Sequence, residues 1–122
     1  MSSPQPIFYK NVVPLSKEQH SELFLEQVEG YDFANETNSL YIAAVEFSKA
    51  TREYPIVFGK DPNGVIFPVV LLGVKPNQNL YVDENGSWNA NYIPAYARRY
   101  PFILAKGGST EQQFTVCIDE GY

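Results

Sequence analysis

The chain has one cysteine, one histidine, one methionine and one tryptophan among 122 residues. A lone Cys117 rules out an intramolecular disulfide and any multi-cysteine metal site, and a lone His20 rules out a two-histidine site. Positive charge is scarce too: nine Lys and Arg against fourteen Asp and Glu leave a net charge of −5, with a pI near 4.8. Such a surface has no general attraction for phosphate backbones or anionic lipid, so nucleic acid is not an expected partner. Long apolar runs are missing as well. The longest, Val65 to Val74, is too short to span a bilayer as a helix, and no membrane insertion is expected. The first residues, MSSPQPIFYKN, lack the basic start, apolar run and small-residue cleavage site of a secretory signal. A soluble protein of the cytoplasm is the expectation.

What is present is ordinary globular composition. Hydrophobic residues make up 44% and charged residues 19%, far from the polar, highly charged corner in which chains stay disordered. At this length one domain with one core is expected over residues 1–122.

The pattern along the chain predicts an α+β fold, with a mainly antiparallel sheet of about five strands covered by one long and one short helix. Residues 1–6, with two prolines, read as an extended arm. Ile7 to Val13 read as a short extended segment closed by Pro14, and Leu15 to Gln19 as a turn. Leu23, Leu25 and Val28 alternate with polar neighbours as in a half-buried strand, with a helical turn from Ser16 as the competing reading. Gly30 to Ser39 is a polar connection suited to cap a helix. Leu40, Ala43, Ala44, Phe47, Thr51 and Tyr54 then fall at three- and four-residue spacing, which predicts the long helix, stopping before Pro55.

Ile56 to Phe58 start a strand, Asp61-Pro62-Asn63-Gly64 is a turn, and Val65 to Val74 is apolar on both faces, as in a central strand. Pro68 conflicts with that position unless it sits at a bulge or where no ladder bond is needed. Leu80 to Val82 and the Asn85-Gly86 turn predict a third consecutive antiparallel strand. Tyr92 to Tyr100 fits the short helix, entered at Pro94 and ended by Pro101. Phe102 to Leu104 and Phe114 to Ile118 are further strands around the Lys106-Gly107-Gly108-Ser109 loop.

In this order of motifs the chain resembles the SapC family of bacterial proteins. The resemblance is carried by Val13-Pro14-Leu15 with His20, Glu46-Phe47, Tyr54-Pro55-Ile56 with Phe58, Leu71-Leu72-Gly73 with Asn79-Leu80, and Gly86-Ser87-Trp88. It continues through Tyr92-Ile93-Pro94-Ala95-Tyr96, Arg98-Arg99-Tyr100-Pro101-Phe102 and Cys117-Ile118-Asp119. Members of the family usually continue well past the position of Asp119, so the resemblance implies a short member or the first half of a longer protein. It also implies an accessory role at the cell envelope or surface layer, with no established reaction.

No catalytic constellation stands out, and neither cofactor nor metal site is expected. Trp88, Tyr92, Tyr96, Arg98 and Arg99 are the candidate ligand-binding residues, since guanidinium forks hold carboxylates or phosphates and aromatic faces line pockets. Against this, the tyrosines at four-residue spacing suit the packing face of a helix, and adjacent arginines diverge on one. Glu46 and Asp83 are the carboxylates to examine for acid and base chemistry, although Asp83 precedes a turn, where aspartate commonly binds backbone amides. His20 with Glu18 or Glu22 is a weak metal signal beside a capping role, and Cys117 suits an inert strand position. The expected function is a non-enzymatic accessory or structural protein that associates with protein subunits or with itself. The alternatives are a binding module for a small ligand or peptide, and an enzyme using buried carboxylates.

Overall fold

The computed structural model describes residues 6–26, 30–107 and 113–121. The expected arm up to residue 5, Val28, and Gly108 and Ser109 of the loop lie outside them. In chain order the elements are β1 (Val12–Pro14), α1 (Lys17–His20), a 3-10 turn (Asp32–Ala34), β2 (Ser39–Tyr41), a 3-10 turn (Ala44–Glu46) and α2 (Phe47–Ala50). They continue with β3 (Ile56–Lys60), β4 (Ile66–Leu71), α3 (Ala95–Arg98), β5 (Phe102–Lys106) and β6 (Phe114–Asp119). The class is α+β as expected, but the six strands form two three-stranded antiparallel sheets instead of one sheet of five. The chain divides into two compact units, Val28–Arg98 on the one hand and Met1–Gln27 with Arg99–Tyr122 on the other.

The unit formed by Val28–Arg98 holds the sheet β2-β4-β3. Leu40, Val70 and Ile56 lie side by side in register, and Leu40 and Val70 are fully buried. Leu40 was expected on a helix. It sits instead on β2, because pairing Ser39–Tyr41 with Val69–Leu71 satisfies the backbone while burying Leu40 against Val70. The expected long helix shrinks to the 3-10 turn and α2. Its end before Pro55 is as expected, with the Tyr54 amide bonded to the Ala50 carbonyl at 2.9 Å.

The place of Pro68 follows from the register. The Ile42 amide bonds to the Pro68 carbonyl, so Pro68 faces the β2 side of the central strand β4, just where β2 ends. A donor-less residue is tolerated there because no strand continues beside it. The third strand expected at Leu80 to Val82 is reduced to one bridge, Val82 to Trp88, and β2 takes its place beside β4. Both predicted turns are present, with Gly64 and Gly86 at φ of +84° and +79°.

The other unit holds the sheet β1-β6-β5. The Leu15 amide bonds to the Val116 carbonyl and the Glu120 amide to the Asn11 carbonyl, so Pro14 points its missing donor away from the ladder. The turn expected at Leu15 to Gln19 is the one-turn helix α1, capped by the Ser16 hydroxyl. No strand forms over the described residues 21–26, where Leu23, Phe24 and Leu25 are all exposed. Alternation alone does not make a strand without a partner edge. Among the described residues no helix is long and apolar enough to cross a membrane.

Gly73 marks the closest backbone approach. A Cβ there would stand 2.1 Å from the Gln78 carbonyl oxygen, whereas at Gly30 the nearest neighbour would be 3.4 Å away. Gly73→Ala is therefore expected to lower unfolding stability by about 1–3 kcal/mol, and Gly30→Ala by less than about 0.5 kcal/mol, as read from urea midpoints.

Candidate functional site

Among the described residues of the unit Val28–Arg98, Glu46 is the buried carboxylate, and it accepts three hydrogen bonds. Glu46 closes the 3-10 turn that precedes α2, and its side chain turns back so that Oε2 accepts the Ala43 amide at 2.8 Å. Oε1 accepts the Tyr92 hydroxyl at 2.5 Å and the Ala95 amide at 2.8 Å. Glu46 is buried. Burial pushes its carboxyl up, but the donors Tyr92, Ala95 and Ala43, with the Arg98 charge, together hold it below the usual range.

Two further residues tie the same segments together. Glu53 accepts the Asn91 amide at Oε1 and the Tyr92 amide at Oε2, both at 2.8 Å. Those amide bonds, the Asn91 one first, hold its carboxyl low. The Tyr54 hydroxyl donates to the Tyr92 carbonyl and accepts from Trp88 Nε1 at 2.8 Å. Burial pushes that hydroxyl up to about 12, so it stays protonated as this relay requires. Tyr81 packs on Tyr54 with ring centroids 4.6 Å apart and donates its hydroxyl to the Glu53 carbonyl at 2.7 Å. Tyr31 meets Trp88 edge-on at 5.6 Å.

The predicted ligand-binding residues fall into different settings. Trp88 is buried, with its one side-chain donor, Nε1, bonded to Tyr54. Tyr92 is half-buried and precedes α3, so Tyr92 and Tyr96 do not share the helical face predicted for them. Pro94 opens the turn and only Ala95–Arg98 are helical, since Pro101 leaves no room for more. Tyr96 is half-buried on α3. Arg98 is exposed, yet Nε donates to the Ile93 carbonyl at 2.7 Å and the guanidinium lies 5.5 Å from the Tyr92 ring centroid. Arg99 is exposed and belongs to the other unit.

The two candidate carboxylates have separate tasks. Asp83 holds its own turn: Oδ1 accepts the Asn85 and Ser87 amides at 2.9 and 3.0 Å, and Oδ2 accepts the Asn89 side chain. The Ser87 amide is the main cause of its lowered carboxyl. Glu46 bonds to none of these groups.

In the other unit Asp119 plays the part that Glu46 plays here, which the sequence reading missed. It is 1% exposed and accepts the Lys10, Asn11 and Gly121 amides at 3.1, 2.7 and 3.0 Å and the Tyr100 hydroxyl at 2.8 Å. Burial pushes its carboxyl up, and these four donors bring it below the usual range. The acidic residue closing an apolar strand in Cys117-Ile118-Asp119 was the available signal, whereas nothing local distinguishes Glu53 from a solvated glutamate. His20 is buried as a cap, its Nδ1 accepting the Ser16 amide at 2.8 Å and its Nε2 lying 3.2 Å from Glu120 Oε1. Cys117 is buried in β6.

A family model, SapC, matches residues 15–122, and the chain belongs to the SapC family. No curated protein and no solved structure matches it. The stretches that carry the likeness contain the centres of these networks: Glu46, Tyr54, Trp88, Tyr92, Ala95, Tyr100 and Asp119.

Glu46→Ala is expected to lower unfolding stability by roughly 3 kcal/mol, because it leaves two amides and a hydroxyl without their acceptor. Tyr54→Phe, which orphans Trp88 Nε1 and the Tyr92 carbonyl, is expected to cost about 1–3 kcal/mol. Both are read from urea titrations. Glu46 and Asp119 have lowered folded-state pKa values, so the stability they contribute is complete above the ordinary carboxylate range and lost as pH falls through the folded values. The urea midpoint of the native sequence is expected to fall on acidification below about pH 4, and Glu46→Gln to show a shallower fall.

Proposed function

We propose that this SapC-family chain is a non-enzymatic accessory or structural protein of the bacterial cell envelope, acting by association with protein subunits, its own copies included. The observation that carries the reading is the use to which its reactive side chains are put. Both oxygens of Glu46 and both of Asp119 hold backbone amides and tyrosine hydroxyls. An acid or base catalyst needs an oxygen free to reach a substrate proton. Surface for association is plentiful on the β3–β4 hairpin, where Phe58, Val65 and Ile66 are 65%, 58% and 66% exposed.

A second reading is favoured by Arg98. Its guanidinium is exposed, yet oriented by the Ile93 carbonyl and the Tyr92 ring, which is how an anion-binding fork is preorganised. Tyr92 then supplies the ring face beside the fork, with Trp88 and Tyr96 of the same unit as further candidate contacts for a small ligand.

Native mass spectrometry of the gently purified chain separates the two. A ligand-free oligomer is the expected result. A retained small molecule that disappears in Arg98→Gln, with the melting temperature unchanged, would transfer the assignment to a binding module.

A further inference from the structure

The sheet edges of this protein are unequal. At β1 the edge carries Pro14, whose missing donor faces outward. At β5 the Tyr9 hydroxyl donates to the Phe102 carbonyl at 2.6 Å, and the Phe102 amide bonds to the Arg99 carbonyl. Edge β2 has only three residues. Each of these devices discourages strand addition.

Edge β3 has none of them. The Leu71 amide bonds to the Pro55 carbonyl and the Asp61 amide to the Val65 carbonyl, which sets the parity of the β3–β4 ladder. Residues 55, 57, 59 and 61 therefore turn their backbone groups toward β4, and Ile56, Phe58 and Lys60 turn theirs outward. Among the described residues no strand pairs with that side. Phe58, at its middle, is 65% exposed.

We infer that β3 pairs antiparallel with β3 of a second copy about a two-fold axis through Phe58, a proposal that rests on the association reading above. An outward row of alternating donors and acceptors is satisfied by another extended strand, and β3 is complementary to itself. With Phe58 opposite Phe58, Ile56 faces Lys60 of the copy and all outward groups are used, in up to about six hydrogen bonds. Charge favours this register. The chain carries −5, but β3 contains no acid, and its one charge, Lys60, stands ~13 Å along the strand from the copy's Lys60. Slipping the register to bring Lys60 opposite Lys60 sets like charges together. A five-residue edge buries less than the roughly 800 Å² per partner of a stable complex, so the dimer is weak and concentration-dependent.

The experiment is sedimentation equilibrium over a range of concentrations, with Phe58→Pro as the first variant. Proline at this outward position removes no bond to β4, but it deletes both hydrogen bonds and the ring contact at the axis. A reversible monomer–dimer equilibrium is expected, its Kd raised at least roughly tenfold by Phe58→Pro while the monomer keeps its melting temperature. Geometry is tested by oxidative crosslinking. Facing residues of a hydrogen-bonded pair have Cα atoms about 5.5 Å apart, within disulfide range, so Phe58→Cys is expected to give a covalent dimer and Lys60→Cys to give little. Dimers that persist in Phe58→Pro, or equal crosslinking at both positions, overturn the β3 assignment and leave the association reading standing. A chain monomeric at every concentration overturns this proposal, and a ligand-free heteromeric complex in native mass spectrometry would then still support the broader reading.

Discussion

Putting a carboxylate out of water costs several kcal/mol unless donors replace the lost hydration, and Glu46 shows how that cost is offset. Its oxygens take up the amide that opens the 3-10 turn at Ala43, the amide that opens α3 at Ala95, and the Tyr92 hydroxyl. Segments 43–46 and 92–95 are thereby pinned to a common point. The rest of the unit's polar order follows: Glu53 takes the amides of Asn91 and Tyr92, and Tyr54 joins the Tyr92 carbonyl to the Trp88 indole. A region with little regular structure gains the definition that a sheet or long helix would otherwise provide.

Asp119 solves the same problem in the other unit with the same chemistry. There the acid ends a strand and collects the amides of Lys10 and Asn11, so one side chain anchors the entry to β1 beside the end of β6. In both units the buried acid works on backbone amides that short elements leave without partners. Strands of three to six residues and helices of four have many such ends. This is why residues that look like reaction chemistry in the sequence act as fastenings in the fold, and why the tyrosine hydroxyls near them are donors to fixed acceptors.

The α+β class, the two turns at Gly64 and Gly86, the central position of Ile66–Leu71, the strands in the C-terminal region and the stop before Pro55 were all legible from local patterns. Alternation, proline geometry and the positive φ of Asn-Gly are properties of a few adjacent residues, and they survive into the fold. The helix predicted from Leu40 was not, because its spacing served a strand, a 3-10 turn and a short helix in succession. Leu40 obeys its partner Val70 on β4, thirty residues away.

Of the candidate site, the sequence by itself determined only which residue types stand close along the chain: the aromatic and arginine segment from Trp88 to Arg98, and Glu46 as an acid within an apolar, helix-spaced stretch. Only the tertiary structure decided the use of each group. It turned Glu46 inward and drew Trp88 Nε1 to Tyr54, while Arg98 was left exposed over Tyr92. It also revealed Glu53 and Asp119 as acceptors. Hydrogen-bond partners that stand 34 to 109 residues apart leave no trace in a local pattern, because burial and donor supply are set by the chain that folds over them.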